Sequence, residues 1–207
     1  MRTSAIALGI AAALASGSAS AWETTLLDTN TPAREQTITS KQLGIKAASP
    51  FSIKVQLLHG GRQEGVMLVT IDTGEMKITV VPNRGMNVAQ AVSGKVRLGW
   101  KSPVHEIVNP AFLNQGARNG IGWLEGFNDL LTRCGYEWVG HAGADEDGTM
   151  LTLHGLAANI PASNVILSID EKPPYTIRLK GLLREQAFKK VDFTIDTELN
   201  TVPGAKS

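Results

Sequence analysis

Alternation of apolar and polar residues is the dominant signal along this chain. Val66 to Thr73 is rich in β-branched residues and stops at Gly74, after which Met76, Ile78 and Val80 alternate with Lys77 and Thr79. A side-chain period of two turns one face of such a segment to a core and the other to water. The pattern returns at Val92 to Trp100, where Ser93-Gly94-Lys95 predicts a tight turn between short strands. It returns again toward the C-terminus. Val165, Leu167 and Ile169 alternate, as do Tyr175, Ile177 and Leu179; Val191, Phe193 and Ile195 alternate with Asp192, Thr194 and Asp196. Short alternating strands separated by Gly, Pro and Asn turns predict an all-β fold, an antiparallel sandwich or barrel rather than a βαβ one.

Three stretches break the pattern. Residues 22–60 begin with a polar run of Thr, Asn and Pro, with a helical turn predicted at Thr39 to Leu43, and read as an N-terminal arm or lid. Residues 107–140 gather Phe112, Trp123, Phe127, Tyr136 and Trp138 among glycines, with no helical period; they predict long loops and short strands across a sheet face. At the C-terminus, the strand from Val191 to Leu199 leads into a Thr201-Val202-Pro203-Gly204 turn, where a further strand is expected to pair with the sheet edge. The sandwich is therefore expected to be incomplete at that end.

The 207 residues suffice for one domain with a hydrophobic core. Arg2, the uncharged stretch from Ala5 to Ala15 and the small-x-small run Ala19-Ser20-Ala21 read as an export signal over residues 1–21. The apolar stretch is shorter than the roughly 20 residues a bilayer requires. No Cys follows it, so the expected product is soluble, periplasmic and begins at Trp22, with an arm over 22–60 and the β domain over 61–207.

Removing residues 1–21 takes away one basic residue, Arg2, and no acid. It brings the formal charge of +1 to zero. A neutral chain gives no electrostatic reason to expect a nucleic acid or anionic membrane as partner. Cys134 is the only cysteine, which excludes an intrachain disulfide, and it is expected as a small buried hydrophobe. His105 and His141 lie near Glu106 and Asp145 without the spacing of a zinc site, and no nucleotide fingerprint is present, so no metal or cofactor is expected. Asp145-Glu146-Asp147-Gly148 lacks the ligand pattern of a calcium loop and reads as a solvated hairpin tip.

Several polar residues sit in turn-prone settings. His154 follows the alternating run Met150 to Leu153 and precedes Gly155, a strand end that presents an imidazole whose ordinary pKa of about 6.5 suits proton transfer. Arg84, in the Pro82-Asn83-Arg84-Gly85 turn, offers a fork for paired hydroxyls or a carboxylate. Glu125 lies between Trp123 and Phe127, where partial desolvation would make it a candidate base. Trp123 is a candidate platform for the C–H face of a sugar, and Asn128, Arg133 and Asn159 are candidate hydroxyl-binding groups. His154, Arg84 and Glu125 are expected to converge on one pocket, with Trp123 as its wall.

These segments carry a family resemblance. PNRGMNV at Pro82 to Val88, W-x-SP at Trp100 to Pro103, NPAF at Asn109 to Phe112, GWLEGF at Gly122 to Phe127, LLTRCGY at Leu130 to Tyr136 and LHGLAANIPA at Leu153 to Ala162 follow one another in order. Together they resemble the aldose 1-epimerase-like proteins of the galactose mutarotase superfamily, in particular the branch known as domain of unknown function 4432. The resemblance implies a large antiparallel β-sandwich with a carbohydrate on its concave face. It also implies a His that protonates the ring oxygen and a carboxylate that takes the anomeric proton, an acid and a base flanking one carbon.

The family's base is a Glu of the C-terminal half of the fold, which this chain is expected not to reach. Asn87 and Leu156 depart from the branch, which commonly has Asp and often Arg at these positions, and this weakens or changes hydroxyl recognition. The expected function is carbohydrate binding with mutarotase-type acid/base chemistry. A non-catalytic carbohydrate-binding protein, or a carbohydrate lyase or other isomerase using the same cleft, are the alternatives.

Overall fold

A computed structural model describes residues 20–206. The leader expected over residues 1–21 therefore lies, up to residue 19, outside the described residues. Strands run in the order β1 (Ala21–Leu27), β2 (Gln36–Thr39), β3 (Ser52–Leu57), β4 (Met67–Asp72), β5 (Met76–Val81), β6 (Asn87–Ser93) and β7 (Val96–Leu98). After a long non-strand segment come β8 (Gly143–Ala144), β9 (Met150–Leu151), β10 (Asn164–Asp170), β11 (Ile177–Ala187) and β12 (Val191–Thr201). Strands β2 to β7 form a six-stranded sheet in sequence order, a meander in which every neighbour pair is antiparallel. A four-stranded antiparallel sheet has the order β1-β10-β11-β12, and β8 pairs with β9 as a small hairpin.

The two large sheets face each other across one core. Ile53, Val55, Val69, Ile71, Ile78 and Val80 come from the six-stranded sheet and meet Leu26, Val165, Leu167, Ile169, Ile177, Leu179 and Leu183 from the other. All are buried, and each such aliphatic side chain contributes roughly 1.5–3 kcal/mol relative to exposure. The period-two pattern decides which residues these are. In β4, Val69 and Ile71 are buried while Leu68, Thr70 and Asp72 are partly exposed on the other face. The expected antiparallel sandwich is what forms.

The segment expected as an arm is instead part of both sheets. Trp22 pairs with Ile169 and Thr24 with Leu167, while Ile53 and Val55 are buried in β3. Polar Thr and Glu residues in β1 are compatible with this because an edge strand is held by backbone pairing and by one apolar face, here Trp22 and Leu26, while its outer face meets water. The turn predicted near Thr39 is present, with the Leu43 N–H donating to the Thr39 carbonyl at 3.2 Å.

Residues 107–140 form helical turns at Pro110–Phe112 and Ile121–Gly126, joined through Ala117–Gly120, where Arg118 and Asn119 take left-handed conformations, and an isolated bridge pairs Leu131 with Val88 of β6. This loop cap lies against one end of the six-stranded sheet. No helix among the described residues is long and apolar enough to cross a membrane.

Candidate functional site

The Pro82 to Met86 turn begins where β5 ends. The Arg84 N–H donates to the Val81 carbonyl at 3.0 Å, and the Asn87 N–H donates to the Arg84 carbonyl at 2.9 Å. Gly85 and Met86 take left-handed conformations with φ of 59° and 58°. Glycine is required at the first of these, since a Cβ there would stand 2.1 Å from the Ala157 carbonyl oxygen. This close approach docks the turn on the Ala157–Asn159 helical turn, fixed further by the Gly85 N–H donating to the Ile160 carbonyl at 2.9 Å.

Arg84 is enclosed. Its side chain has no exposed surface, its Nη2 lies 3.1 Å from Asp129 Oδ2, and Nη1 donates to the Gly126 carbonyl and to Asn128 Oδ1. Asn87 Nδ2 lies 3.1 Å from Asp129 Oδ2, 3.2 Å from Thr132 Oγ1 and 3.2 Å from the Ala158 carbonyl, while its Oδ1 accepts from the Arg133 N–H at 3.0 Å. Arg133 returns its Nε–H to the Gly85 carbonyl at 2.7 Å. Burial pushes the Asp129 carboxyl upward, partly offset by Arg84, Asn87 and Thr132; burial likewise pulls the Arg84 guanidinium down, partly offset by Asp129.

The result is a buried polar node in which one turn, the 126–133 loop and the 157–160 segment hold one another. Arg84, expected as a substrate clamp, is ion-paired to Asp129 and has no solvent-exposed surface, while its Nε and the second Asp129 oxygen, Oδ1, are buried with no hydrogen-bond partner among the described residues. Asn159 is also buried and donates to Gln115 Oε1 at 3.1 Å.

His154 is half-buried, with φ of 58°, and its backbone is held by Gly140 and Gly135. Its ring meets Trp123 edge-on at 5.2 Å between centroids. Trp123 is 2% exposed and stacks on Phe127 at 4.9 Å, which in turn contacts Trp100 at 5.1 Å. Trp123 is therefore a core residue of the cap rather than an open sugar platform. Glu125 is partly buried, its side chain 37% exposed, and its Oε1 lies 3.1 Å from Arg118 Nε. Cys134 is exposed rather than buried, because the flanking backbone is pinned to the node and to Glu185, which accepts from the Tyr136 N–H at 2.8 Å. The Asp145 to Gly148 run is a hairpin tip between β8 and β9, with Asp145 Oδ1 accepting from the Asp147 and Thr149 N–H groups.

A cleft of about 640 Å³ opens on the face of the six-stranded sheet turned away from the core. Its floor is Gln56 of β3, Leu68 and Thr70 of β4, Thr79 of β5, and Ala89 with Gln90 of β6. Two consecutive residues of β6 reach it because the register slips there. Thr79 pairs with Gln90 but Val80 pairs with Val88, so Ala89 is the extra residue of a bulge. The segment after β7 forms the wall, with Trp100, Ser102, Val104, His105 and Ile107, and the Ser102 hydroxyl donates to the Phe127 carbonyl at 2.7 Å.

Of the site residues expected from sequence, only Asn128 lines this cleft, and its amide is occupied: Nδ2 donates to the Glu106 and Val104 carbonyls and Oδ1 accepts from Arg84. His154, Arg84 and Glu125 do not share it. Gln56, Thr70 and Gln90 line it from the polar face of strands whose apolar face the sequence pattern identifies, and Trp100 lines it from the W-x-SP motif. Among the described residues no group of three His, Cys, Asp or Glu is placed to hold a metal ion.

Residues 63–207 match the family described as domain of unknown function DUF4432. The chain belongs to this family. It is also similar to a solved protein from Klebsiella pneumoniae subsp. pneumoniae MGH 78578 described as a "putative aldose 1-epimerase", with 45% identity and a TM-score of 0.85 over 90% of this chain. The match takes in 49% of that protein, so the present chain spans about half its length. No curated protein matches. The DUF4432 motifs that looked like a ligand site, Pro82 to Val88, Leu130 to Tyr136 and Leu153 to Ala162, are the segments that build and border the buried node.

Proposed function

We propose that this DUF4432 protein binds a monosaccharide or sugar derivative in the sheet-face cleft, on an aldose 1-epimerase-like fold. The observation that carries this reading is the composition of that cleft. Trp100, 41% exposed, stands beside the side-chain amides of Gln56 and Gln90 and the hydroxyls of Thr70 and Thr79. A pyranose has an apolar C–H face and a rim of hydroxyls, so an indole wall next to amides and hydroxyls matches both. The Thr70 and Thr79 hydroxyls lie 3.2 Å apart; one donates to the other and leaves one O–H to point at a ligand. The volume is within the roughly 300–1,000 Å³ of small-molecule sites.

Acid/base chemistry at the anomeric carbon is the second reading. It is favoured by the likeness to the Klebsiella protein and by His154, half-buried against Trp123. It requires a base within reach of the same sugar carbon, and among the described residues no Asp or Glu lines the cleft. Titration of the full chain with a panel of aldoses, followed by tryptophan fluorescence, tests the first reading. Saturable quenching that is lost in Trp100→Ala is expected, and no response to any sugar would defeat it. Polarimetry of anomer interconversion tests the second, which fails if His154→Ala has the wild-type rate.

We further infer export to the periplasm from Arg2, the apolar stretch and the Ala19-Ser20-Ala21 site. Mass spectrometry of the periplasmic fraction is expected to find a chain beginning at Trp22; intact Met1 protein in the cytoplasm would contradict it.

A further inference from the structure

The polar residues of the cleft are not evenly charged. Arg97, Lys101 and His105 line it from one continuous segment, and among the described residues no carboxylate lines it. Arg97 is held in place from two sides. Its Nε donates to Gln90 Oε1 at 2.9 Å and its Nη1 to the Trp100 carbonyl at 3.4 Å. Gly99, with φ of 140°, leaves room for the guanidinium; a Cβ at that position would stand 3.1 Å from Arg97 Nη1. The guanidinium is thereby held beside Trp100, the residue proposed to carry the sugar ring, and among the described residues its Nη2 has no hydrogen-bond partner. A planar cationic fork held by a glutamine and a carbonyl, with a lysine four residues away on the same wall, is suited to an oxyanion rather than to a neutral hydroxyl.

We propose that the cleft selects an acidic sugar, one whose carboxylate or phosphate meets Arg97 and Lys101 while its ring lies against Trp100. This rests on the carbohydrate-binding reading above and narrows it to a substrate class. Arg97 and Lys101 are binding residues in this scheme, and Gln90 and Gly99 are positioning residues. Because both cations are exposed, their attraction for the anion is screened by salt, which gives the proposal a second signature.

Isothermal titration of the full chain at low ionic strength tests it, with glucose, galactose, glucuronate, galacturonate, the two hexose 6-phosphates and inorganic phosphate as probes. At least one acidic sugar is expected to bind tenfold or more tightly than its neutral parent, with the advantage shrinking as salt is raised. Whether uronate or sugar phosphate wins identifies the source of the anion. The variant Arg97→Ala/Lys101→Ala is expected to bring the advantage below twofold while the neutral sugars hold within twofold, and Gly99→Ala is expected to reduce it in the same sense.

Equal binding of neutral and acidic sugars would overturn the proposal and leave the carbohydrate reading intact. Inorganic phosphate binding as tightly as the sugar phosphates would overturn it too, as would an advantage that survives in the double variant. No binding by any sugar would remove both readings together.

Discussion

Beneath the loop cap, Arg84, Asn87 and Asp129 are buried, and the polar contacts they make run to one another and to neighbouring loop residues. On the outer sheet face, Gln56, Thr70, Gln90 and Trp100 are only partly covered and border a 640 Å³ cleft. Both regions are polar, and they differ in what surrounds the polar groups. A charge enclosed at 0% exposure must be matched inside the protein, and solvent does not reach the polar atoms it leaves unbonded, here Arg84 Nε and Asp129 Oδ1. A polar group on the free face of a sheet needs no internal partner, because water or a sugar can serve it. Unusual residues in tight turns are thus the mortar of this fold, while ordinary strand residues form its open surface.

The sharpest way to break this comparison is to remove half of the buried pair. Arg84→Ala leaves Asp129 without its counter-charge and is expected to cost about 3–5 kcal/mol of stability, read by urea unfolding. Arg84→Met with Asp129→Leu removes both charges and is expected to cost much less. If the single variant is as stable as wild type, Arg84 is not structural and its assignment as a ligand clamp returns. The same pair has a pH signature. Because burial raises the folded pKa of Asp129, its contribution to stability is complete below the ordinary value of 3.8 and is lost as pH rises through the raised value. Wild type is therefore expected to lose stability over that range relative to Asp129→Asn, which does not titrate there; parallel pH profiles would contradict it.

Next in size is the docking of the turn. Gly85→Ala must place a methyl group 2.1 Å from the Ala157 oxygen at a φ of 59°, so either the turn or the 157–160 segment has to move. A loss of about 2 kcal/mol or more is expected in thermal melting, from strain alone of about 1–3 kcal/mol and the displaced contact. An unperturbed melt would show that the turn and the segment are not locked together.

The strands were legible in the sequence because burial on one face imposes a period of two that survives without any knowledge of partners. Met76, Ile78 and Val80 read correctly for that reason, and so did the Val92 to Trp100 hairpin. Strand β1 was not legible: Trp22 to Leu27 buries one residue fully, Leu26, and its pairing with β10 joins positions about 145 residues apart, which no local pattern encodes. The surroundings of the candidate residues were not legible for a different reason. Arg84, Glu125 and His154 were singled out by residue type and turn context, but type does not say whether a guanidinium meets a ligand or a carboxylate of its own chain. Asp129 decided that, and it lies 45 positions from Arg84 in sequence. Asn128 lines the cleft, where its amide fastens the wall.

On the cleft side the expected effects fall on binding and spare the fold. Trp100→Ala removes an indole that is 41% exposed and contacts Phe127 at 5.1 Å, so stability is expected to change by less than about 1 kcal/mol. Sugar affinity is expected to fall at least about tenfold, or about 1.4 kcal/mol, in the same protein. Arg84→Met/Asp129→Leu should show the reverse pattern, altered stability with affinity held within about threefold. Affinity that drops equally in both variants would mean that node and cleft act as one site, and the division drawn here would not stand.

The smallest effect concerns Cys134, which sits on the boundary between the two regions. Its neighbour Arg133 is tied into the node through its N–H and Nε–H, yet the Cys134 side chain faces solvent. A thiol in that position lends no apolar burial, so Cys134→Ser is expected to shift stability by no more than about 0.5 kcal/mol, as for other surface substitutions. Labelling with a thiol-reactive dye in native buffer provides the complementary reading, since an exposed sulfur does not wait for unfolding. Native protein is expected to react at nearly the rate of protein in denaturant once the thiolate fraction is matched. Protection by orders of magnitude would place the sulfur inside the cap, and the node would then extend one residue further along the chain than its hydrogen bonds show.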